Sequence, residues 1–334
     1  MKRFLLHTLL YLLPLMALLA YFYLFVDMNA MRGDLARLTQ KEFHYTRPQP
    51  DPNTPRTSCR DVDVDDIGPK AADEWVVFGD SYTAANSRWP DSRWHQFMGG
   101  IVGKRIVVAG YFQEPLKEFL SALKHCPDDL GDTVILQSGE RLIIYRLCYL
   151  DFDNINPPMV TPQQSTKDLW IEDLHDISSR PIEYYKKNLG LDPPPVGRVQ
   201  LSRPCFSIHP QELLFYQEDL LKPMEWEYDR ALENLKRLDS LAQSYGKTII
   251  FVAIPEKYTA YRHQMVSPPD TAKRILESPC IFDSVPRFLN MLPLIDSLVD
   301  SGTLDVYLPD DTHFSNPTAK AVGQYVGSYI KNRL

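Results

Sequence analysis

Two stretches of this 334-residue chain hold the residue types that nucleophilic acyl chemistry needs. The first is VVFGDSYTAA, residues 76–85, in which three β-formers run into Gly79-Asp80-Ser81. A serine just past the end of a strand can present its hydroxyl as a nucleophile, provided a base and an orienting acid are in reach. The second is YLPDDTHFSNPTAKAVG, residues 307–323, which supplies Asp310, Asp311 and His313. A carboxylate two or three residues ahead of a histidine can hold one ring nitrogen and leave the other free to take a proton. Each stretch also has a plain structural reading, a turn serine in one and a helix cap in the other. Their joint presence at opposite ends of one domain favours the chemical reading.

The elements that would position them follow an α/β rhythm. Short apolar runs at 75–78, 105–109, 133–137, 248–254 and 304–307 suit strands of a parallel sheet buried on both faces. The clearest helix spans 226–245, with Ala231, Leu232, Leu235, Leu238 and Ala242 at helical spacing and Gly246 at its end. A last helix opens at Asn316-Pro317 and buries Val322, Val326, Tyr329 and Ile330. In such folds the ligand site lies beyond the carboxyl ends of the strands, where Ser81 falls.

Residues 4–26 are uncharged and apolar enough to cross a bilayer, at roughly 34 Å for a straight helix. Lys2 and Arg3 precede them, which orients the N-terminus to the cytoplasm and the rest outward. We read 1–26 as a single-pass anchor rather than a cleaved signal peptide. Residues 27–73 are polar and contain Pro48, Pro50, Pro52 and Pro55, the composition of a stalk. The main domain is expected over 74–334. Within it, 151–210 holds nine prolines and no long periodic run, either a lid over the site or a surface excursion. A net charge of −7 with no basic block argues against nucleic acid as a partner. The histidines lack metal-ligand spacing, and no phosphate or dinucleotide loop is present, so neither metal nor cofactor is expected. Five cysteines without a C-x-x-C pair leave open both disulfides and buried thiols.

FGDSYT (78–83) and DDTHFS (310–315) resemble the first and last blocks of the SGNH (GDSL) hydrolase superfamily. SGERL (138–142), IPEKYTAY (254–261) and DTHF are similar to the alginate O-acetyltransferase-like branch of bacterial envelopes. The resemblance covers about residues 74–330. It implies a three-layer α/β/α, flavodoxin-like fold with Ser81 as nucleophile and His313 as general base. The general superfamily spacing selects Asp310 as the acid and the alginate-type spacing selects Asp311; the preference goes to Asp310. The implied oxyanion hole is the Ser81 N–H with Gly110 and Gly139. Gly139-Glu140-Arg141 stands where many members have Gly-x-Asn-Asp, which leaves out the asparagine donor. Arg141 either takes its place or pairs with Glu140. Lys257 and Tyr258 follow a strand end and either line the substrate or pack beneath the insertion. The implied function is O-acyl transfer, in particular O-acetyl transfer, on an envelope polysaccharide, with a multi-spanning membrane acyltransferase as a further partner. An SGNH esterase or deacetylase, or a non-catalytic partner of such an acyltransferase, are the alternatives.

Overall fold

A computed structural model describes residues 8, 11–20, 33–35, 56–62, 67–68, 74–83, 93–109, 114–154, 196–270 and 273–333. Its centre is a six-stranded parallel sheet: β1 (Cys59–Val62), β2 (Glu74–Phe78), β3 (Arg105–Ala109), β4 (Thr133–Gly139), β7 (Thr248–Ile254) and β8 (Phe288–Asn290). The spatial order is β1-β3-β2-β4-β7-β8. After β2 the chain places β3 on one side and β4 on the other. That reversal opens a crevice at the carboxyl ends of β2 and β4, the place where doubly wound sheets bind ligands.

Side chains alternate across the sheet as the pleat requires. Val76, Phe78, Val134, Leu136, Ile249 and Phe251 point to one face. There they meet α2 (Pro115–His125), α3 (Glu140–Cys148) and α4 (Glu225–Ser244). Val77, Ile135, Ile250 and Val252 point to the other. They are covered by α1 (Trp94–Val102), α6 (Leu292–Asp300) and α7 (Asn316–Arg333). Helices on both faces explain why the central strands read as continuous apolar runs. An antiparallel ribbon of β5 (Val196–Gln200) and β6 (Glu212–Tyr216) lies beside α5 (Lys257–Tyr261).

Four of the five expected strands form. The fifth does not: at 304–307 Leu304 is exposed and the segment makes only an isolated bridge from Tyr307 to Phe314. β1 and β8 were not expected, because CRDV carries two charges and FLN is only three residues long. α4 and α7 form as read, and Gly246 follows α4 at φ 71°.

The expected boundary at residue 74 needs correction. β1 is an edge strand of the sheet, Ile67 is fully buried in the core, and residues 33–35 pack on the loop that bears His313. Residues 33–35, 59–62 and 67 of the segment expected as a stalk therefore belong to the domain. Of the expected anchor, residues 8 and 11–20 are described; 11–20 are helical with exposed apolar side chains, and the rest lies outside the described residues. Among the described residues no helix is long and apolar enough to cross a membrane. Of the proline-rich insertion, 155–195 lies outside the described residues, and its end forms β5. All five cysteines are free thiols.

Core position and exposure separate two leucines. Leu136→Ala, in a central strand, should cost about 2–5 kcal/mol. Leu304→Ala, at an exposed site, should stay within about 0.5 kcal/mol. Urea unfolding of the two variants measures both.

Candidate active site

The serine turn is built by a buried carboxylate. Asp80 accepts the Gly139 N–H at 2.7 Å and an Arg146 Nη1–H at 2.7 Å on Oδ2, and the Tyr82 N–H at 3.2 Å on Oδ1. Its own N–H donates to Gln137 Oε1 at 3.0 Å, which also accepts the Thr83 hydroxyl at 2.8 Å. Arg146 reaches across from α3 and also donates to Ser138 Oγ at 2.7 Å. The ends of β2 and β4 are thereby tied together by groups that leave no charge unpaired. Gly79 is required for the approach: a Cβ there would fall on Thr83 Oγ1 and within 2.7 Å of Gln137 Oε1. At the head of this turn Ser81 is exposed, and among the described residues neither its hydroxyl nor its N–H is hydrogen-bonded.

The second half is the loop before α7. Leu308 donates its N–H to the His313 carbonyl at 3.0 Å, and the Tyr307–Phe314 bridge closes the turn. Asp311 Oδ1 accepts the His313 N–H at 3.1 Å and meets His313 Nδ1 at 2.5 Å. A carboxylate on Nδ1 fixes the proton there and leaves Nε2 for proton transfer. Burial works against the imidazolium, but Asp311, then Asp34 and Asp80, outweigh it and raise His313 to about 9. Tyr82 joins the two halves: its hydroxyl donates to the Thr312 carbonyl at 3.0 Å and its ring lies 5.2 Å from that of His313. The residue beside Ser81 thus touches the histidine ring.

Several expected roles change on this geometry. The aspartate that meets His313 is Asp311, not the preferred Asp310; the Asp310 Oδ2 atom accepts the Gly33 N–H at 2.8 Å instead. Gly139 cannot serve as an open oxyanion donor while its N–H is held by Asp80. Gly110 lies outside the described residues. Arg141 does not pair with Glu140: it donates to Asp219 Oδ1 at 3.0 Å and stacks on Tyr216, its guanidinium 4.8 Å from the ring centre. Glu140 is fully buried and accepts the Glu256 and Leu276 N–H groups. Burial pushes Glu140 and Glu256 above the usual carboxylate range.

Lys257 does not line the site either. Its ammonium is fully buried and donates to the carbonyls of Leu308, Pro309 and Asp311 at 2.7, 3.0 and 3.1 Å. Burial lowers it to about 8, with Asp310, Asp34 and Asp311 opposing, so it remains an ammonium at neutral pH. Tyr258 is buried too, packed 4.8 Å from Phe215 and under Arg274. Both residues hold the scaffold. With this geometry in view, comparison with protein-family models, curated proteins and solved structures found no match.

Asp34, Asp311 and His313 bring ligand-type atoms within 4.8 Å of one another. The Asp34 oxygens accept hydrogen bonds from Thr312 and Tyr216, and Asp311 Oδ1 faces His313, so the arrangement fits a hydrogen-bond network. Sequence reading missed Asp34, Tyr82, Gln137 and Arg146. Arg146 did carry a signal, a charged residue among Ile143, Ile144 and Leu147 on an otherwise buried helix face.

Arg146→Met should destabilise the fold by about 3–5 kcal/mol, because it leaves the Asp80 carboxylate buried without its cation. The double variant Asp80→Asn/Arg146→Met should recover part of that loss. A urea double-mutant cycle showing simple additivity would contradict the coupling.

Proposed function

We propose that this chain is an SGNH-type O-acyltransferase, anchored by its N-terminus and acting outside the membrane on an envelope polysaccharide. The observation that carries the reading is the 2.5 Å Asp311–His313 pair set against Tyr82, the residue next to Ser81. It is a histidine already oriented by a carboxylate, in ring contact with the residue that follows an exposed serine at the reversal point of the sheet.

In the reaction, Nε2 of neutral His313 takes the Ser81 hydroxyl proton while Oγ attacks the carbonyl carbon of an acyl ester. The tetrahedral oxyanion is met by the Ser81 N–H; the SGNH resemblance assigns a second donor to Gly110, which lies outside the described residues. Collapse breaks the bond to the leaving alcohol, which receives the proton from His313. A sugar hydroxyl then gives its proton to His313 and attacks the acyl-serine; as the acyl–Oγ bond breaks, His313 returns that proton to Ser81 Oγ. Water in place of the sugar would make the enzyme an esterase. The choice depends on which acceptor is bound better in the transition state.

One observation favours a different reading. Gly139 spends its N–H on Asp80, and no asparagine follows it, so the hole has fewer donors than an SGNH hydrolase usually offers. Under that reading the chain is a non-catalytic partner of a membrane acyltransferase.

A serine-reactive fluorophosphonate separates these. The full chain should take one adduct, lost in Ser81→Ala and His313→Ala. Because the base must be neutral and His313 is raised to about 9, the labelling rate should climb as pH rises through that value. Asp311→Asn should slow labelling by roughly 10²–10⁴-fold and move the inflection down towards about 6.5. A folded wild type that never labels would favour the accessory reading.

A further inference from the structure

Residues 33–35 come from the N-terminal side of the domain, far in sequence from the histidine loop, yet they grip it at two points. The Gly33 N–H donates to Asp310 Oδ2 at 2.8 Å. Asp34 Oδ1 accepts the Thr312 N–H at 2.9 Å, and Oδ2 accepts the Thr312 hydroxyl at 2.6 Å and the Tyr216 hydroxyl at 3.2 Å. These contacts fall on the residues immediately before and after Asp311. Leu35 anchors the segment, fully buried against Val196 and Leu214 of the β5–β6 ribbon. The fit at Gly33 is close: a Cβ there would run into the Asp310 carbonyl, 2.5 Å from its carbon and 2.7 Å from Asp311 Cβ.

We propose that residues 33–35 are a latch that completes the site, with Asp34 a positioning residue that holds Asp310 to Thr312 so that Asp311 faces His313. Asp34 acts through Thr312 and does not touch the reacting atoms. Lys257 supports the same loop from beneath through three carbonyls, but it grips no side chain and no N–H. The latch adds what Lys257 does not hold: Asp34 takes the N–H and hydroxyl of Thr312, and Gly33 takes the side chain of Asp310, one residue to either side of Asp311. The site is assembled only when residues 33–35 are seated. Strain on the segment, or its removal, would switch the site off without disturbing the sheet. The function assigned to the latch rests on the acyl-serine reading, whereas its geometry does not.

The test uses the full chain in detergent and two variants. Asp34→Asn weakens the acceptor, and Gly33→Ala keeps every polar group but wedges the segment off Asp310. The first readout is the far-downfield proton resonance of the His313 Nδ1–H, which reports the Asp311 contact whether or not any chemistry occurs. The second is the rate of fluorophosphonate labelling at Ser81. Both variants should keep the wild-type circular dichroism, shift or broaden the Nδ1 resonance, and label at least about tenfold more slowly, as expected for a small misplacement of a catalytic group. Should Asp34→Asn not fold, Gly33→Ala carries the test alone. An unchanged resonance together with unchanged labelling in the folded variants would overturn the latch. A resonance that moves in the variants while no form labels, wild type included, would support the latch and count against the acyl-serine reading.

Discussion

The Asp80 carboxylate is the constraint on which the site depends. It lies at the point where the sheet reverses direction, and it closes two strand ends onto each other through one guanidinium and two backbone N–H groups. A charge taken so far out of water is tolerable only when each partner is present. That requirement fixes Arg146 to the inner face of α3, Gly139 to the end of β4 and the turn at residues 80–83 to a single shape. Ser81 owes its exposed position to the fact that its neighbours' polar groups face inward.

A second set of contacts brings the histidine to that turn. The loop 308–313 has little apolar surface with which to hold itself, so it is fixed by polar groups instead. Lys257 gathers three carbonyls from below, Asp34 and Gly33 hold its flanks, and Tyr82 ties it to the serine turn. A preorganised site of this kind places its working groups on contacts that do not themselves react. On the proposed reading, Asp311, His313 and Ser81 would then need little rearrangement on binding substrate.

The central strands and the long helices were legible in the sequence because burial on two faces leaves uninterrupted apolar runs and 3.6-residue periodicity. β1 and β8 were not, since an edge strand with charged residues and a three-residue strand carry no such pattern. Ser81 and His313 were legible as residue types in suggestive settings. The choice of Asp311 over Asp310 was not, because it turns on which side chain the latch at Gly33 occupies. Lys257 and Tyr258 looked like site residues for the sound reason that they follow a strand end. Their side chains are buried instead, Lys257 beneath the loop and against Phe206, Tyr258 against Phe215 and Arg274, directions that spacing does not encode. Arg141 likewise found its partner in Asp219, well away in sequence.

Whether Ser81 carries the acyl group decides between an acyl-transfer enzyme and an accessory chain. Pre-steady-state turnover of a nitrophenyl acetate by the full chain, with the acetylated peptide located by mass spectrometry, reads this directly. The result expected is a burst of about one nitrophenolate per chain, with acetyl on the peptide containing Ser81 and no burst in Ser81→Ala. Acetyl release that proceeds unchanged in Ser81→Ala, or an acetyl group found on another side chain, would contradict it.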